Sequence, residues 1–291
     1  MPIFVTGGSG YIGKSVIREL RRRSHVVHAL ARNAAAEDAV ARAGAEPVRG
    51  DLRNLDVLRR AAAAADGVVY LAQEQSEEGV EVGRAAVGAI LEGLRDAKTI
   101  VYTSGVWVYG WRGDTIVGED APLDPLPIVA WRPAIEDLVL SQQRRVRAIV
   151  VRPGIVYGDG GGIPGMMVQQ ARDGDLKVVG DGTNRWPTVR HDALAELYAL
   201  ALESRTAMGV YNATRGAAVP YIEIAHAASR AAGRDGRVVH VTLRDAQTTL
   251  GSFAEALACD LQVDSSRATR ELGWEPHRPT LLEELSNTTV V

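Results

Sequence analysis

The strongest constraint on the fold is a glycine-rich segment near the N-terminus, Thr6-Gly7-Gly8-Ser9-Gly10-Tyr11-Ile12-Gly13. It follows a short apolar run typical of a strand and opens a helical pattern. In such a unit Gly7 allows the tight turn, Gly10 lets a pyrophosphate approach the backbone, and Gly13 lets the helix pack on the strand. The unpaired N–H groups of the helix N-terminus then bind the phosphates. The segment therefore predicts a dinucleotide-binding Rossmann unit.

Short apolar runs alternate with helical patterns through the first half of the chain, which predicts a parallel sheet covered by helices on both faces. The predicted strands are Ile3–Thr6, Val26–Ala31, Pro47–Arg49, Val68–Leu71, Ile100–Thr103 and Arg147–Arg152. The predicted helices are Tyr11–Arg23, Ala34–Ala43, Leu55–Ala65, Val80–Ala97 and Pro133–Gln142. The fold class is therefore α/β, a doubly wound Rossmann sheet.

The pattern changes after three consecutive glycines, Gly160 to Gly162. We expect residues 1–160, with returning segments, to form the dinucleotide-binding core. Residues 161–291 should mainly form a small α+β substrate-binding annex. Its predicted elements are helices at Ala193–Leu202, Tyr221–Ala232 and Ser265–Leu272 and a strand at Val238–Val241.

Composition limits the classes of partner. The formal net charge is -3, so no global field attracts nucleic acid or an anionic membrane. No apolar run reaches about 18 residues, so neither a signal peptide nor a membrane span is predicted and the cytoplasm is the expected compartment. Cys259 is the single cysteine, which excludes an internal disulfide. No His/Cys cluster has the spacing of metal ligands, so no metal is expected.

The end of the second predicted strand indicates which cofactor is bound. An NAD site needs a carboxylate there for the ribose hydroxyls. This strand has no acid and is followed by Arg32, whose guanidinium suits the 2′-phosphate of NADP. NADP is therefore the expected cofactor. The alternative is that Arg32 is an ordinary solvated loop arginine.

Six segments in order resemble the extended short-chain dehydrogenase/reductase superfamily, in its nucleotide-sugar epimerase/dehydratase-like group. They are the glycine-rich segment, Gly50–Leu52, Val69–Ala72, Tyr102–Gly110, Arg152–Gly158 and Glu271–Pro276. The resemblance implies that Asp51 lies near adenine, that Val69–Ala72 lines the cofactor, and that Arg152–Gly158 lies near the nicotinamide. The expected cofactor contacts are Gly7, Ser9, Gly10, Tyr11, Ile12, Gly13, Arg32, Asp51, Leu52, Leu71, Ala72, Gln73, Thr103, Arg132, Pro153, Gly154, Ile155 and Val156.

The chain departs from this superfamily at its catalytic residues, a Tyr and a Lys four residues apart with an upstream Ser or Thr. Alignment on Glu136 puts Ile128 at the Tyr position and Arg132 at the Lys position, and the hydroxyl position falls on Gly105. No other alignment restores the pair, because no tyrosine lies between positions 109 and 157 and no lysine between 98 and 177. The chain thus resembles atypical members that keep the cofactor site and lose the usual acid.

Other residues must then supply the proton that a carbonyl reduction needs. Ser104 and Tyr109 are the candidate donors, and His191 is a further candidate because imidazole is a common general acid in catalysis. Core packing of Tyr109 and a structural role for His191 are the alternatives. Arg132 is expected to bind the nicotinamide ribose, or to form a salt bridge at a helix start.

An apolar, aromatic set of residues is expected to contact the substrate, or else to fill the core: Trp107, Ile128, Trp131, Tyr157 and Trp186. The favoured function is an NADP-dependent oxidoreductase acting on a small carbonyl or imine compound. The alternatives are an isomerase, lyase or cyclase on the same scaffold, or a non-catalytic NADP-sensing regulator. The apolar stripe of Val80–Ala97, with helix Pro133–Gln142, suggests a homodimer.

Overall fold

The computed structural model describes residues 1–74, 78–95 and 97–287. Seven strands form one parallel sheet: β1 (Pro2–Thr6), β2 (Val26–Ala31), β3 (Glu46–Arg49), β4 (Gly67–Tyr70), β5 (Thr99–Thr103), β7 (Arg147–Pro153) and β12 (Gly209–Ala213). Their order is β12-β7-β5-β4-β1-β2-β3. The order reverses between β1 and β4, which is where ligands bind in open sheets of this kind. The predicted doubly wound Rossmann architecture is confirmed.

Twelve α-helices, two 3-10 helices (Val106–Tyr109 and Pro127–Val129) and eight short strands complete the described part of the chain. The helices are α1 (Tyr11–Arg22), α2 (Ala34–Ala43), α3 (Leu55–Ala64), α4 (Gly79–Gly93), α5 (Arg132–Leu140), α6 (Gly162–Asp173), α7 (His191–Glu203), α8 (Tyr221–Ala231), α9 (Leu243–Leu250), α10 (Phe253–Ala258), α11 (Ser266–Leu272) and α12 (Leu281–Asn287). The short strands are β6 (Ile116–Val117), β8 (Ile155–Gly158), β9 (Lys177–Val179), β10 (Arg185–Trp186), β11 (Thr188–Arg190), β13 (Val219–Pro220), β14 (Val239–Val241) and β15 (Gln262–Val263).

Alternation of side chains along the strands divides the sheet core into two layers. Ile3 and Val5 of β1 face α1, α2 and α7, whereas Phe4 between them faces α3, α4 and α5. Both layers are apolar, as expected for a parallel sheet that is covered on both faces.

The second half of the chain contributes to both parts of the molecule. Strand β12 extends the main sheet beside β7, and α7 packs on one face of that sheet. A separate apolar cluster joins α6, α8, α9, α10 and α12 over the carboxyl-end side of the core. Within the residues described, no helix combines the length and apolarity needed to cross a bilayer.

Helix α4 differs from its predicted extent. It ends at Gly93 and not at Ala97, because the backbone turns extended at Leu94, and Asp96 lies outside the described residues. The apolar stripe that suggested a dimer faces the protein's own sheet, with Val87 and Ile90 fully buried and Leu91 nearly so. The homodimer therefore remains a prediction without support from that stripe.

Backbone contacts hold the glycine-rich turn against the neighbouring strand. Gly7 has φ +71°, and a Cβ atom there would lie 2.8 Å from the backbone nitrogen of Ala72. A Cβ at Gly13 would lie 2.1 Å from the carbonyl oxygen of Gly7. Both glycines are therefore required by close approach of backbone to backbone.

We predict that Gly13→Ala destabilises the protein by about 1–3 kcal/mol, because the obstructing atom is backbone and the turn must shift. Urea unfolding measures this change. Gly88→Ala is the matched control, since a Cβ there meets nothing within 4 Å. In the interior of α4 that change should stabilise by about 0.5–1 kcal/mol. Equal stabilisation by both substitutions would contradict the packing argument.

Candidate active site

A cavity of about 550 Å³ lies at the carboxyl ends of the central strands, beside the start of α1. Its walls come from the ends of β4, β5 and β7, from the segment before α5, and from α4. The predicted cofactor residues that line it are Ile12, Leu71, Ala72, Gln73, Thr103, Arg132, Pro153, Gly154, Ile155 and Val156. The volume and the apolar lining are typical of a small-molecule site.

The glycine-rich turn leaves the N-terminus of α1 open beside this cavity. Gly10 is the N-cap residue and makes no side-chain cap, and the first turn contains no acidic residue. The hydroxyl of Thr6 accepts hydrogen bonds from the N–H groups of Leu71 and Ala72, each at 3.3 Å, which fixes β4 beside the turn. The free N–H groups and the helix dipole fit a pyrophosphate. Ser9 belongs to this turn.

The outer end of the nucleotide site is formed after β2 and β3. Arg32 is exposed directly after β2 and makes no hydrogen bond or ion pair with any described residue. Asp51 follows Gly50, and one of its carboxylate oxygens accepts from the N–H of Arg53 at 2.8 Å. Leu52 is buried beside it. Arg32 and Asp51 thus follow two neighbouring parallel strands at the same end of the sheet, and their contacts with a cofactor remain predictions.

The side chains of Tyr11 and His191 join α1 to the segment after β8. The Tyr11 hydroxyl donates to the carbonyl of Gly158 at 2.7 Å. Nδ1 of His191 lies 2.7 Å from the Ser15 hydroxyl, and Nε2 lies 3.2 Å from Asp159. Neither ring lines the cavity. The hydrogen bond to Ser15 keeps the imidazole of His191 outside the cavity, and its role as a proton donor remains a prediction.

Tyr109 is also held away from the cavity. It is fully buried, its hydroxyl donates to Asn212 at 2.8 Å, and it accepts from Arg152 at 2.8 Å. Arg152 in turn forms a buried ion pair with Glu136. Burial raises the pKa of Tyr109. The prediction of Tyr109 as a proton donor is corrected, because its one proton is committed to Asn212.

Ser104 and Arg132 do line the cavity, together with Ile128. The Ser104 hydroxyl is buried and has no hydrogen-bond partner among the described residues. Arg132 is the first residue of α5, and its guanidinium carbon lies 5.0 Å from the centroid of the Trp131 ring. Ile128 forms an apolar wall at the position where the superfamily has its tyrosine.

Sequence reasoning missed the hydroxyl of Tyr70. It is buried in the cavity wall without a hydrogen-bond partner among the described residues, and its ring stacks on that of Tyr102 at 5.6 Å. Burial raises the pKa of Tyr70, so the phenol stays protonated at neutral pH. The available signal was its position at the carboxyl end of a buried strand. A polar group there lies near the ligand crevice.

The predicted substrate contacts divide into two sets. Trp107, Ile128 and Trp131 line the cavity. Trp186 is buried elsewhere, stacks on Tyr221 at 4.3 Å, and donates its indole N–H to Leu257.

The Tyr157 hydroxyl donates to Pro279 at 2.6 Å, outside the cavity. The expectation for Trp186 and Tyr157 is corrected, because both are buried in the apolar cluster formed with α6, α8, α9, α10 and α12. Within the described ranges, no three His, Cys, Asp or Glu side chains are grouped so as to hold a metal ion.

We predict that Glu136→Ala lowers the free energy of unfolding by about 3–5 kcal/mol, because it leaves the buried Arg152 unpaired. Urea denaturation measures the loss. Glu81→Ala is the control, since its long ion pair with Arg84 is on the surface. It should change stability by less than about 0.5 kcal/mol. Similar losses for both variants would show that the buried ion pair has no special role.

Comparison with known proteins agrees with this geometry. The sequence model of the NAD dependent epimerase/dehydratase family matches residues 3–214. An uncharacterised protein of Saccharomyces cerevisiae is 31% identical over 98% of this chain and 98% of its own length.

A 4-hydroxy-2-methyl-3-oxo-4-farnesyl-3,4-dihydroquinoline-1-oxide ketoreductase of Stigmatella aurantiaca is 30% identical over 75% of this chain and 70% of its own length. Among solved structures, a dTDP-glucose 4,6-dehydratase from Streptomyces venezuelae with NAD bound superimposes with a TM-score of 0.81. It is 23% identical, over 99% of this chain and 95% of that chain, and shows the shared fold.

Proposed function

Since the chain belongs to the NAD dependent epimerase/dehydratase family, we propose that it is an NADP-dependent oxidoreductase that reduces the carbonyl or imine group of a small compound. One observation carries this proposal. The buried, unpartnered hydroxyl of Ser104 lies in the wall of the same cavity that the glycine-rich turn and the β7–β8 segment border. The ketoreductase relative supports the choice of a carbonyl substrate.

The residues present fit a bound dinucleotide. The open N-terminus of α1 would hold the pyrophosphate, Asp51 the adenine amino group, and Arg32 the 2′-phosphate. Pro153 to Val156 would border the nicotinamide from β7 and β8. The bound cofactor supplies the hydride, and the protein must orient the acceptor and provide a proton.

Two hydroxyl groups are available for that proton. Ser104 is a neutral donor that can polarise a carbonyl oxygen. Tyr70 is a phenol whose pKa is raised by burial, so it keeps its proton at neutral pH and can donate a hydrogen bond to a carbonyl oxygen, although it is a weaker acid than an exposed phenol. Ile128 cannot transfer a proton, and its role is to exclude water and shape the apolar wall. We assign the principal donor role to Ser104.

Cofactor preference can be tested by calorimetry. NADP should bind at least about tenfold more tightly than NAD, because Arg32 has no partner of its own and the second strand has no acid for the ribose. Arg32→Ala should cost on the order of 1–3 kcal/mol of NADP affinity. Arg42→Ala, an exposed arginine in the last turn of α2, is the control and should change nothing. Equal affinity of the wild-type protein for NADP and NAD would overturn the assignment.

Ser104→Ala should lower the turnover number roughly 10²-fold, the scale expected for loss of a general acid, and leave NADP affinity unchanged. Oxidation of NADPH with a panel of aryl and alkyl ketones measures turnover. Ser141→Ala is the control, because that hydroxyl is on the surface and bonds only locally. If Ser104→Ala stays fully active and Tyr70→Phe is inactive, Tyr70 is the donor.

The family model, which is named for epimerases and dehydratases, favours a second candidate: an isomerase, lyase or cyclase that uses the cofactor without net redox change. Turnover of substrate at constant NADPH absorbance would identify that class. Binding of NADP with no turnover of any compound would instead indicate a non-catalytic regulator that senses NADP.

A further inference from the structure

The guanidinium group of Arg132 is poorly satisfied by the protein. It has five N–H donors, and its one hydrogen bond within the described chain is a long one, from Nη1 to the carbonyl of Thr103 at 3.4 Å. Its Nε atom is buried without a partner. The group lies between the Trp131 ring and Gly105, where a Cβ atom would be 3.7 Å from Nη1.

No described carboxylate pairs with this cation. Glu136, one helical turn further along α5, is taken by Arg152 through both carboxylate oxygens. Glu74 also lines the cavity but forms no ion pair with Arg132. The buried Glu136 therefore compensates the buried Arg152, and the positive charge of the partly buried Arg132 remains at the cavity wall.

The position of Arg132 makes this charge still less favourable. It is the first residue of α5, and the N-terminal end of a helix dipole repels a cation. Burial lowers the pKa of Arg132, in keeping with the absence of a paired carboxylate among the described residues. A cation kept at such a cost is expected where a ligand supplies the missing anion.

We infer that Arg132 binds the carboxylate of the substrate, and that the rest of the substrate is flat and apolar. The inference rests on the proposed function, because it concerns the same cavity. A planar guanidinium matches a carboxylate through two parallel hydrogen bonds, and a single cation matches a single negative charge. The nicotinamide ribose, the partner that the resemblance implies for Arg132, offers neutral hydroxyl oxygens that accept hydrogen bonds but do not neutralise the charge, and the inference replaces that expectation. Trp107, Ile128 and Trp131 form the apolar surroundings.

Binding of a matched pair of probes tests the inference without turnover. The probes are 2-naphthoate and 2-naphthamide, which share a shape and differ in charge. Each is titrated into protein saturated with oxidised NADP, and quenching of tryptophan fluorescence is measured. The wild-type protein should bind 2-naphthoate at least about tenfold more tightly than the amide. Arg132→Gln should remove this preference, and Arg132→Lys should retain only part of it because the planar fork is lost.

Arg84→Gln is the control, because Arg84 is exposed on α4. This variant should keep the full preference for 2-naphthoate over 2-naphthamide. The melting temperature separates binding from structure. Arg132→Gln should melt no lower than the wild-type protein, since the charge it removes has no partner. A clear fall in melting temperature would show that Arg132 is structural and would overturn the inference.

Three other results would overturn it: equal affinity for the two probes, a preference that survives Arg132→Gln, or competition of 2-naphthoate with NADP. The proposed function fails by a different result, absence of NADPH oxidation with carbonyl compounds. Retained carboxylate preference together with absent oxidation would leave the Arg132 site in place and remove only the reductase assignment.

Discussion

The contact of the Gly13 backbone with the carbonyl of Gly7 is the constraint on which the rest of the site depends. It sets α1 directly on the end of β1, and Gly7 in turn lies against the backbone of Ala72 after β4. The start of a helix and the ends of two strands are thus fixed within contact distance of one another. Because the glycines of this turn have no side chains, the N–H groups of the first helical turn remain open to an anionic ligand.

Backbone constraints of this kind can be predicted from the sequence. The groups that a given side chain contacts in the folded protein cannot. The parallel sheet and the glycine-rich turn follow from periodicity and motif spacing. The cavity residues Ser104, Ile128 and Arg132 follow from the resemblance to the extended short-chain dehydrogenase/reductase superfamily. Tyr109 and His191 have residue types suited to catalysis, yet Tyr109 bonds to Asn212, and His191 contacts Ser15. Those partners are about 100 and 176 residues away in the chain, a separation that no local pattern reports.

Buried aromatic residues show the same limit. Trp107 follows strand β5 and Trp131 precedes α5, and the topology brings both to the cavity. Trp186 has the same residue type, but it lies in the annex, where its ring and its N–H are both satisfied by neighbouring groups. Tyr70 is the converse case. Its sequence context indicates an ordinary buried strand residue, yet its hydroxyl has no hydrogen-bond partner among the described residues. An unsatisfied polar atom is a property of the folded structure alone.

Charge pairing explains how the chemistry of the site can change while the fold is kept. The Glu136–Arg152 pair and its bonds to Tyr109 lie behind the cavity wall and hold α5 against β7. Gly105, Ile128 and Arg132 lie in front of that pair and contribute little to it. The resemblance implies that Gly105, Ile128 and Arg132 stand where the superfamily has a hydroxyl, a phenol and an amine. Their replacement therefore leaves the supporting network intact. In the proposed mechanism the proton donor is then Ser104, a neighbour of these positions, and Arg132 adds a cation that lacks a carboxylate partner among the described residues. The fold determines where the cavity lies, and the side chains that line it determine its chemistry.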